Sequence, residues 1–262
     1  MSAGRQGSGP QGSSVRAAER RTDPTVVSAR MPGVILAAGA GSRLGALGRR
    51  HSKPMLPVGG RPLIAWVIER LHAAGVGSLI VVRHADDAAL ETYIHDTMPD
   101  ALLAVQHERL GIADALCRAL PLLRGAPAYL ACACDSLFLA DDIAALIAAA
   151  DGGSAAVGVL DMGLKATAAR SAVRLVGDRV CEIIEKPMAG SAPSGLVAAP
   201  LYALPRGVDV FLHDTPALGG ERYISTALSA YARAGGVVRA VRLRERLEVT
   251  TAADAAALAA RV

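Results

Sequence analysis

The chain has 262 residues, 52% of them hydrophobic, and a formal net charge of +4 at pH 7. This composition supplies a core for one large domain or two small ones, and no apolar run approaches the roughly 20 residues that a membrane span needs. Residues 1–30 carry five Arg against Glu19 and Asp23, so most of the net charge lies there. With two Phe, one Trp and five Tyr, the chain also lacks the aromatic platforms of single-strand binders. We therefore expect no nucleic-acid partner and no membrane partner.

The segment at 1–30 is rich in Ser, Gly, Arg and Gln and has no apolar core of a secretory signal. We predict that it is a disordered tail in front of one domain at 31–262. The cysteines show neither the C-x-x-C spacing of metal sites nor a disulfide framework, which is typical of buried thiols in a reducing cytoplasm. They are Cys117, Cys132, Cys134 and Cys181.

The first predicted element is an apolar strand at 34–36, which leads into a glycine-rich loop. Glycines let the main chain approach a ligand closely, and successive free amides attract phosphate oxygens. Two common phosphate-binding motifs do not fit this loop. No lysine follows Gly39 at the spacing of a Walker loop, and Leu44 stands where a dinucleotide motif needs its third glycine. The glycines of the loop are Gly39, Gly41, Gly45 and Gly48.

Lysine is rare in this chain, at three residues against 25 Arg. Because this chain mostly uses arginine, a lysine suggests a position that requires a compact, flexible ammonium group and not a planar guanidinium. Lys53 and Lys186 each precede a proline in a motif-like segment, whereas Lys165 has no such setting. This usage marks the first two as candidate functional residues and the third as a surface residue.

Helices and strands then alternate through the first half of the chain. Apolar spacing predicts helices at 62–74, 86–96 and 112–123 and strands at 79–84, 102–106 and 128–134. This alternation indicates a mainly parallel sheet covered by helices on both faces. The last of these strands stops at Asp135, where ligands of parallel sheets gather and where a carboxylate can bind Mg²⁺. The alternative role of a strand-end Asp is to cap the next helix.

In the second half, strands no longer alternate regularly with helices, and strands are predicted at 155–160, 171–176 and 180–184. A turn at Gly177 and Asp178 makes the last two of these a hairpin inserted beside the main sheet. The remaining predicted elements are a strand at 196–203, helices near 207–213 and 221–234, a strand at 237–243 and a helix at 252–261. The expected fold class is α/β, a three-layer, Rossmann-like arrangement with a mixed, mainly parallel sheet and an inserted β-hairpin.

Four motifs occur in a fixed order: A-A-G-x-G-x-R followed after nine residues by K-P, then C-A-C-D-S-L-F, I-I-E-K-P and R-L-E-V-T-T. Together they resemble the sugar-1-phosphate nucleotidyltransferases, a family that includes glucose-1-phosphate thymidylyltransferases and related uridylyl-, guanylyl- and cytidylyltransferases. The resemblance covers residues 33–261. It implies a nucleotidyltransferase fold and an Mg²⁺-dependent enzyme that transfers a nucleoside monophosphate from a nucleoside triphosphate to a sugar 1-phosphate, releasing pyrophosphate.

For the nucleotide, the resemblance implies that the loop amides hold the triphosphate and that Arg43 binds the leaving phosphates. Lys53 would bind the α-phosphate or the incoming phosphate, so these two are the predicted catalytic residues. The segment V-Q-H-E-R-L-G-I-A-D-A-L resembles the part of the family that contacts the nucleobase, through Gln106 and Gly111. Asp114 is either a helix-face residue or a ligand contact. The predicted nucleotide-binding residues are Leu36, Ala37, Ala38, Gly39, Gly41, Ser42, Arg43, Gln106 and Gly111.

For the acceptor, the E-K-P motif implies that Glu185 binds sugar hydroxyls and that Lys186 contacts the sugar phosphate. The segment S-G-L-V-A-A-P-L-Y-A-L-P resembles the strand whose glycine approaches the sugar, which adds Gly195. Asp135 is the implied first Mg²⁺ ligand. Glu248 is the second, at a position where the family has Asp; its longer side chain offers the same oxygens with a shifted geometry.

The E-K-P motif favours a sugar phosphate acceptor, but other functions stay open. They are a cytidylyltransferase for phosphocholine, a phosphonate or a similar acceptor, a molybdenum-cofactor guanylyltransferase, and a non-catalytic regulatory relative that binds nucleotide or sugar. Retention of the basic and acidic motif residues argues against the last. We expect a cytoplasmic protein whose partners are a nucleoside triphosphate and a phosphorylated small molecule. The nucleobase, the acceptor and assembly into a homo-oligomer are left open.

Overall fold

The computed structural model describes Met1 and residues 30–262. Apart from Met1 and Arg30, the predicted disordered tail lies outside the described residues. The strands are β1 (Gly33–Leu36), β2 (Pro57–Val58), β3 (Arg61–Pro62), β4 (Leu79–His84), β5 (Leu102–Gln106), β6 (Ala128–Ala133), β7 (Ser136–Phe138), β8 (Ala155–Asp161), β9 (Ser171–Val176), β10 (Arg179–Glu185), β11 (Leu196–Pro205), β12 (Val238–Arg242) and β13 (Arg246–Glu248). The α-helices are α1 (Ala46–Arg50), α2 (Leu63–Ala73), α3 (Ala88–Thr97), α4 (Ile112–Ala119), α5 (Ala140–Ala149), α6 (Leu164–Thr167), α7 (Asp209–Asp214), α8 (Ile224–Arg233) and α9 (Ala252–Ala259).

Within residues 30–262, nine strands form one sheet in the order β5-β4-β1-β6-β11-β8-β12-β10-β9. Strands β5, β4, β1 and β6 are mutually parallel, whereas β11 is antiparallel to both of its neighbours. Strands β8 and β12 are parallel, and β10 pairs antiparallel with β12 and with β9. The sheet is therefore mixed, as predicted. Only β10 and β11 run against the other seven strands, and they give the described part of the sheet five antiparallel and four parallel pairings.

Helices cover both faces of the sheet, because side chains of a strand alternate between its two faces. On β1, Ile35 packs into one apolar cluster with buried residues of α2, α3, α5 and α9. Val34 and Leu36 pack into a second cluster with buried residues of α4, α7 and α8. The result is a three-layer arrangement with a hydrophobic core on each side of the sheet.

The parallel strands bring the carboxyl ends of four elements to one edge. Leu36 of β1 is in register with Ala133 of β6, and His84 of β4 is in register with Gln106 of β5. The segments that follow these strands therefore emerge side by side. This is the edge at which α/β sheets bind ligands.

The strands predicted from apolar runs all occur, with ends that differ by no more than two residues. Helix α4 is shorter than expected, because Pro121 has no N–H to donate and the chain continues as a 3-10 turn at Leu120–Leu122. Helix α5 and the two-stranded sheet of β7 and β13 were not among the predicted elements. Among the described residues, no helix has the length and apolarity required to cross a membrane.

Candidate active site

The glycine-rich segment after β1 forms one wall of a cavity of about 300 Å³ at this edge. Gly41 has φ +61°, and a side chain there would lie 3.1 Å from Leu44 and 3.4 Å from Cβ of Lys53. The absence of a side chain at Gly41 therefore lets the loop close over Lys53. The residues that line this cavity are Leu36, Gly39, Ala40, Gly41, Ser42, Arg43, Lys53, Cys134, Asp135, Glu221 and Thr250.

Lys53 and Asp135 meet at this cavity although 82 residues separate them in sequence. The Lys53 Nζ donates to Oδ2 of Asp135 at 2.6 Å, and the two side chains are 11% and 24% exposed. The hydroxyl of Ser136 donates to Oδ1 of the same carboxylate at 2.9 Å. The predicted catalytic lysine and the predicted metal ligand thus form one charged pair at the end of β6.

Asp135 is the predicted magnesium ligand. Its carboxylate lines the cavity, and Mg²⁺ is commonly held by one or two carboxylates together with substrate phosphates and water. Among the described residues there is no cluster of three or more His, Cys, Asp or Glu side chains that would hold a metal alone. The role of Asp135 as a magnesium ligand stays a prediction.

Glu248 lies next to this pair. It is in register with Ser136 through the pairing of β13 with β7, and the amide of Val249 donates to the main-chain oxygen of Asp135 at 2.8 Å. Its own carboxylate oxygens contact guanidinium groups, Oε1 at 3.0 Å from Arg246 and Oε2 at 3.1 Å from Arg170. Its role as a second metal ligand stays a prediction.

Two buried cysteines lie beside this site. Cys132 and Cys134 are buried, and burial, followed by the nearby charge of Asp135, raises the pKa of both thiols. A thiol that stays protonated is a poor nucleophile and a poor ligand. The prediction of buried thiols thus holds for these two, whereas Cys117 is half-buried and Cys181 is exposed, so the prediction is wrong for Cys181.

A second, larger cavity of about 470 Å³ adjoins the first. Asp135 lines both cavities, so the carboxylate stands at their border. Predicted nucleotide-binding and acceptor-binding residues meet in this second space. Its lining is Leu36, Ala38, Gly39, Ala40, Gln106, Arg109, Gly111, Ile112, Ala115, Ala133, Asp135, Ser171, Glu185, Lys186, Tyr202, Glu221, Tyr223, Ile224 and Ser225.

Three predicted residues line neither of these cavities: Glu248, described above, and Ala37 and Gly195. Ala37 is 2% exposed, and its amide donates to the oxygen of Val82 at 2.8 Å, so it anchors the loop to β4. Gly195 lies beside Asp161 and Gly163, where a side chain would come within 3.0 Å of both. In this structure its glycine is explained by close packing of the chain.

At the predicted base-binding end, Gln106 is almost fully buried and its Nε2 donates to Asp114 at 2.9 Å and to the oxygen of Gly111 at 3.2 Å. Asp114 in turn accepts from Arg118 at 2.9 Å. Asp114 therefore holds Gln106 in place from the first turn of α4. This favours a supporting role for Asp114 over direct ligand contact.

Gly111 is required by the main chain. It has φ +89° and ψ −178°, a conformation almost restricted to glycine, and an added Cβ would lie 2.7 Å from the oxygen and 2.9 Å from the nitrogen of Arg222. We expect Gly111→Ala to destabilise the protein by about 2 kcal/mol or more, because the cost of main-chain strain and the cost of the steric clash add together. Thermal unfolding measures this.

Gly125→Ala is the matched control. Gly125 also has a positive φ, +69°, but open space where a Cβ would stand. The free energy of unfolding of Gly125→Ala should fall only by the smaller cost of the main-chain conformation, of the order of 1 kcal/mol. Equal losses in the two variants would show that contact with Arg222 does not constrain Gly111.

At the predicted acceptor-binding end, the Glu185 carboxylate accepts hydrogen bonds from Ser171 at 2.6 Å and Ser225 at 3.1 Å. Lys186 is the single non-glycine residue with positive φ, +43°, in the described part of the chain. Its Nζ donates to the Tyr223 hydroxyl at 3.1 Å, and this bond raises the pKa of Lys186. Such a main-chain conformation often marks a functional position.

The sequence analysis missed several residues of the site, among them Arg109, Tyr223 and Glu221. Arg109 ties the base-binding segment to the loop by donating to the oxygen of Ala38 at 3.2 Å. Tyr223 contacts Lys186, and Glu221 lines both cavities. Glu221 ends a tight turn at Gly219 and Gly220, with φ of +60° and +85°, and a glycine pair of this kind is a turn signal.

The comparison with known families rests on the first half of this site. A model described as the MobA-like NTP transferase domain matches residues 33–165, which are 133 of the 262 residues. The chain belongs to the MobA-like NTP transferase domain family. The predicted membership of a nucleotidyltransferase family is confirmed. The matched region includes the glycine-rich loop, Lys53, the predicted base-binding segment and Asp135 of this MobA-like domain.

Curated relatives match parts of the chain. An N-acetylmuramate alpha-1-phosphate uridylyltransferase of Neisseria meningitidis serogroup B is 39% identical over 105 residues, 37% of this chain and 44% of that protein. A CMP-5'-(3-aminopropyl)phosphonate synthase of Streptomyces rubellomurinus is 42% identical over 74 residues, 28% of this chain and 12% of that protein. The match thus spans less than half the length of each of these relatives.

The fold has close counterparts among solved structures. A UDP-glucose pyrophosphorylase complexed with UDP-glucose superposes with a TM-score of 0.76 at 19% identity, over 88% of this chain and 98% of that one. The α/β nucleotidyltransferase fold predicted for the MobA-like domain is confirmed by this likeness.

Proposed function

We propose that this protein transfers a nucleoside monophosphate from a nucleoside triphosphate to a sugar 1-phosphate and releases pyrophosphate. The observation that carries this proposal is the Lys53–Asp135 pair at the border of two cavities. One cavity has the glycine-rich loop and Arg43 in its wall, and the other has Glu185 and Lys186. The arrangement provides one place for a triphosphate and an adjacent place for a phosphorylated acceptor.

In the reaction, an oxygen of the acceptor phosphate forms a bond to the α-phosphorus. The bond from the α-phosphorus to the bridging oxygen breaks, and its electron pair leaves with pyrophosphate. The attacking oxygen is already anionic, so the protein has to position two anions and stabilise charge. Loop amides and Arg43 bind the leaving phosphates, and Lys53 contacts the phosphate at which the bonds change.

Asp135 is the residue that would hold Mg²⁺. The metal, when bound, neutralises charge on the phosphates as a Lewis acid. The side chains of Lys53 and Ser136 fix the orientation of the Asp135 carboxylate at 2.6 Å and 2.9 Å. A carboxylate held in this way is positioned before the substrate arrives.

The acceptor would lie against Glu185, Lys186 and Glu221. The Glu185 carboxylate, held by two serine hydroxyls, accepts hydrogen bonds from sugar hydroxyls, and the Lys186 ammonium contacts the acceptor phosphate. Glu221 adds a second carboxylate where the two cavities meet. Gln106 and Gly111 face the same space from the side of β5 and contact the nucleobase.

Cytidylyl transfer to a phosphonate is the second candidate. Its support is the 42% identity, over 74 residues, to a relative named as a CMP-5'-(3-aminopropyl)phosphonate synthase. The two carboxylates of the acceptor cavity, Glu185 and Glu221, also suit an acceptor with an ammonium group. Sugar hydroxyls and an ammonium are both donors, so both acceptor classes belong in the test.

The test is a pairwise substrate screen of the full chain with Mg²⁺. Each of the five common nucleoside triphosphates is combined with a panel of sugar 1-phosphates, aminoalkylphosphonates and phosphocholine, and pyrophosphate release is measured. We expect release with at least one pairing, matched by an equal amount of the nucleotidyl product. Tight nucleotide binding without turnover on any pairing would instead favour the regulatory relative. The cytoplasmic location and a homo-oligomeric state stay predictions.

A further inference from the structure

A chain of alternating charges runs from the triphosphate loop to the acceptor segment. Lys53 bonds Asp135, whose other oxygen accepts from Ser136. The Ser136 hydroxyl accepts from Nε of Arg246 at 3.0 Å, and Arg246 also pairs with Glu248 at 3.0 Å. The chain continues through Glu248 to a further guanidinium, that of Arg170 at 3.1 Å. Three cations and two carboxylates therefore form one connected network.

Within this network, Glu248 is fully engaged. Each of its oxygens contacts a different guanidinium, one from its own strand β13 and one from the turn before β9. The Arg246 side chain is only 10% exposed, and that of Glu248 is 26% exposed. A partly buried charge that loses its partner is strongly disfavoured. Metal coordination by Glu248 would take its oxygens from both arginines.

Arg170 leads directly into the acceptor site. Its main-chain oxygen accepts from the amide of Lys186 at 3.0 Å, the residue with the strained φ of +43°. The next residue, Ser171, donates to Glu185 at 2.6 Å. The position of Arg170 therefore affects the positions of both Glu185 and Lys186 in the E-K-P motif.

We propose that Glu248 is a positioning residue that clamps Arg170 and Arg246 and does not bind the metal. Its carboxylate holds the acceptor segment through Arg170 and supports Ser136 and Asp135 through Arg246. Mg²⁺ then takes its other ligands from phosphate oxygens and water, as this ion commonly does. The inference rests on the proposed function, in which Asp135 binds the metal.

The first test measures metal binding without turnover. Mn²⁺ replaces Mg²⁺, and the enhancement of water-proton relaxation measures its binding to the full chain. The measurement is made in the presence of a nucleoside triphosphate. The nucleotide used is the one that gives the largest enhancement with the wild-type protein. We expect Glu248→Gln to bind Mn²⁺ with wild-type affinity and Asp135→Asn to lose at least about tenfold, since a charged ligand bond is worth more than 1.4 kcal/mol. The matched control is Glu245→Gln, which removes an exposed carboxylate paired with Arg261.

The second test separates positioning from a general structural role. Glu248→Gln and Arg170→Gln should each raise the KM for the acceptor about tenfold with a smaller change in kcat, and the double variant should be no worse than either single variant. Glu248→Asp, which keeps the charge, should recover part of the loss. Glu245→Gln should leave the KM unchanged.

The outcomes distinguish the inference from the proposed function. If Glu248→Gln loses Mn²⁺ affinity as strongly as Asp135→Asn, Glu248 is a metal ligand and the inference is wrong. Additive effects of the Glu248 and Arg170 substitutions on the acceptor KM also overturn it. If Asp135→Asn binds Mn²⁺ as well as wild type, the metal assignment in the proposed function is wrong, and the inference falls with it.

Discussion

Asp135→Asn is expected to lower the rate of nucleotidyl transfer by at least about 1,000-fold, because a bound metal supplies several kcal/mol of transition-state stabilisation and about 1.4 kcal/mol corresponds to a factor of ten. Asparagine keeps the shape of the side chain and one oxygen, but it removes the negative charge. The substitution also leaves Lys53, which is 11% exposed, without its carboxylate partner at 2.6 Å. Steady-state pyrophosphate release, on the substrate pair found in the screen, measures the loss.

Asp141→Asn is the matched control for this variant. Asp141 is another Asp shortly after the same strand, but its side chain is exposed and pairs with Arg244 at 3.1 Å. It should retain wild-type turnover, because exposed ion pairs contribute little. Circular dichroism should show the same fold for both variants. Wild-type rates in Asp135→Asn, with a native spectrum, would contradict the assignment of this residue as metal ligand.

The meeting of Lys53 and Asp135 shows which part of the site was predictable from sequence. Both residues follow elements with clear signals, a glycine-rich loop and an apolar strand that ends in a carboxylate. Parallel strands deliver their carboxyl ends to one edge, so strand direction alone places the two segments together. In the structure, register between Leu36 and Ala133 brings about this convergence.

The parts that were missed depend on contacts between distant segments. Strands β7 and β13 have three residues each, too few for a periodic pattern, and they form because they pair with each other. Glu248 owes its position beside Asp135 to this pairing. Arg170 lies in no motif and Arg246 was not singled out within R-L-E-V-T-T, and the contacts of both with Glu248 follow from the tertiary fold.

Gly111 is a predicted site residue for which the structure shows a separate physical reason. The family resemblance assigned it to the nucleobase, where the absence of a side chain leaves room for a flat ring. The second reason is the main chain of Arg222. Its amide donates to the oxygen of Leu110 at 2.7 Å, and its oxygen accepts from the amide of Ala113 at 3.0 Å. These bonds hold the Glu221 turn against the base-binding segment. The nucleobase contact of Gly111 stays a prediction, whereas its close approach to Arg222 is observed.

Lys53→Arg is expected to lower kcat by about 100-fold or more, although the charge is unchanged, since loss of one well-placed donor to the reacting group costs about 2.7–4 kcal/mol. The Lys53 side chain is 11% exposed, and its Cβ lies against Gly41, whose missing side chain makes the space in which it sits. A guanidinium is wider and planar and cannot place a single donor where the compact ammonium does.

Lys165→Arg provides the control for Lys53→Arg, because it changes the head group in the same way. Lys165 is exposed on the short helix α6. It should keep wild-type kcat and KM. If Lys53→Arg also keeps them, a positive charge at this position is sufficient, and the scarcity of lysine in the chain has no functional meaning. If only Lys53→Arg loses activity while both variants unfold at the wild-type temperature, geometry at the Asp135 carboxylate is decisive. The retained lysine then reflects the need for one small, mobile cation that can contact both a carboxylate and a phosphate.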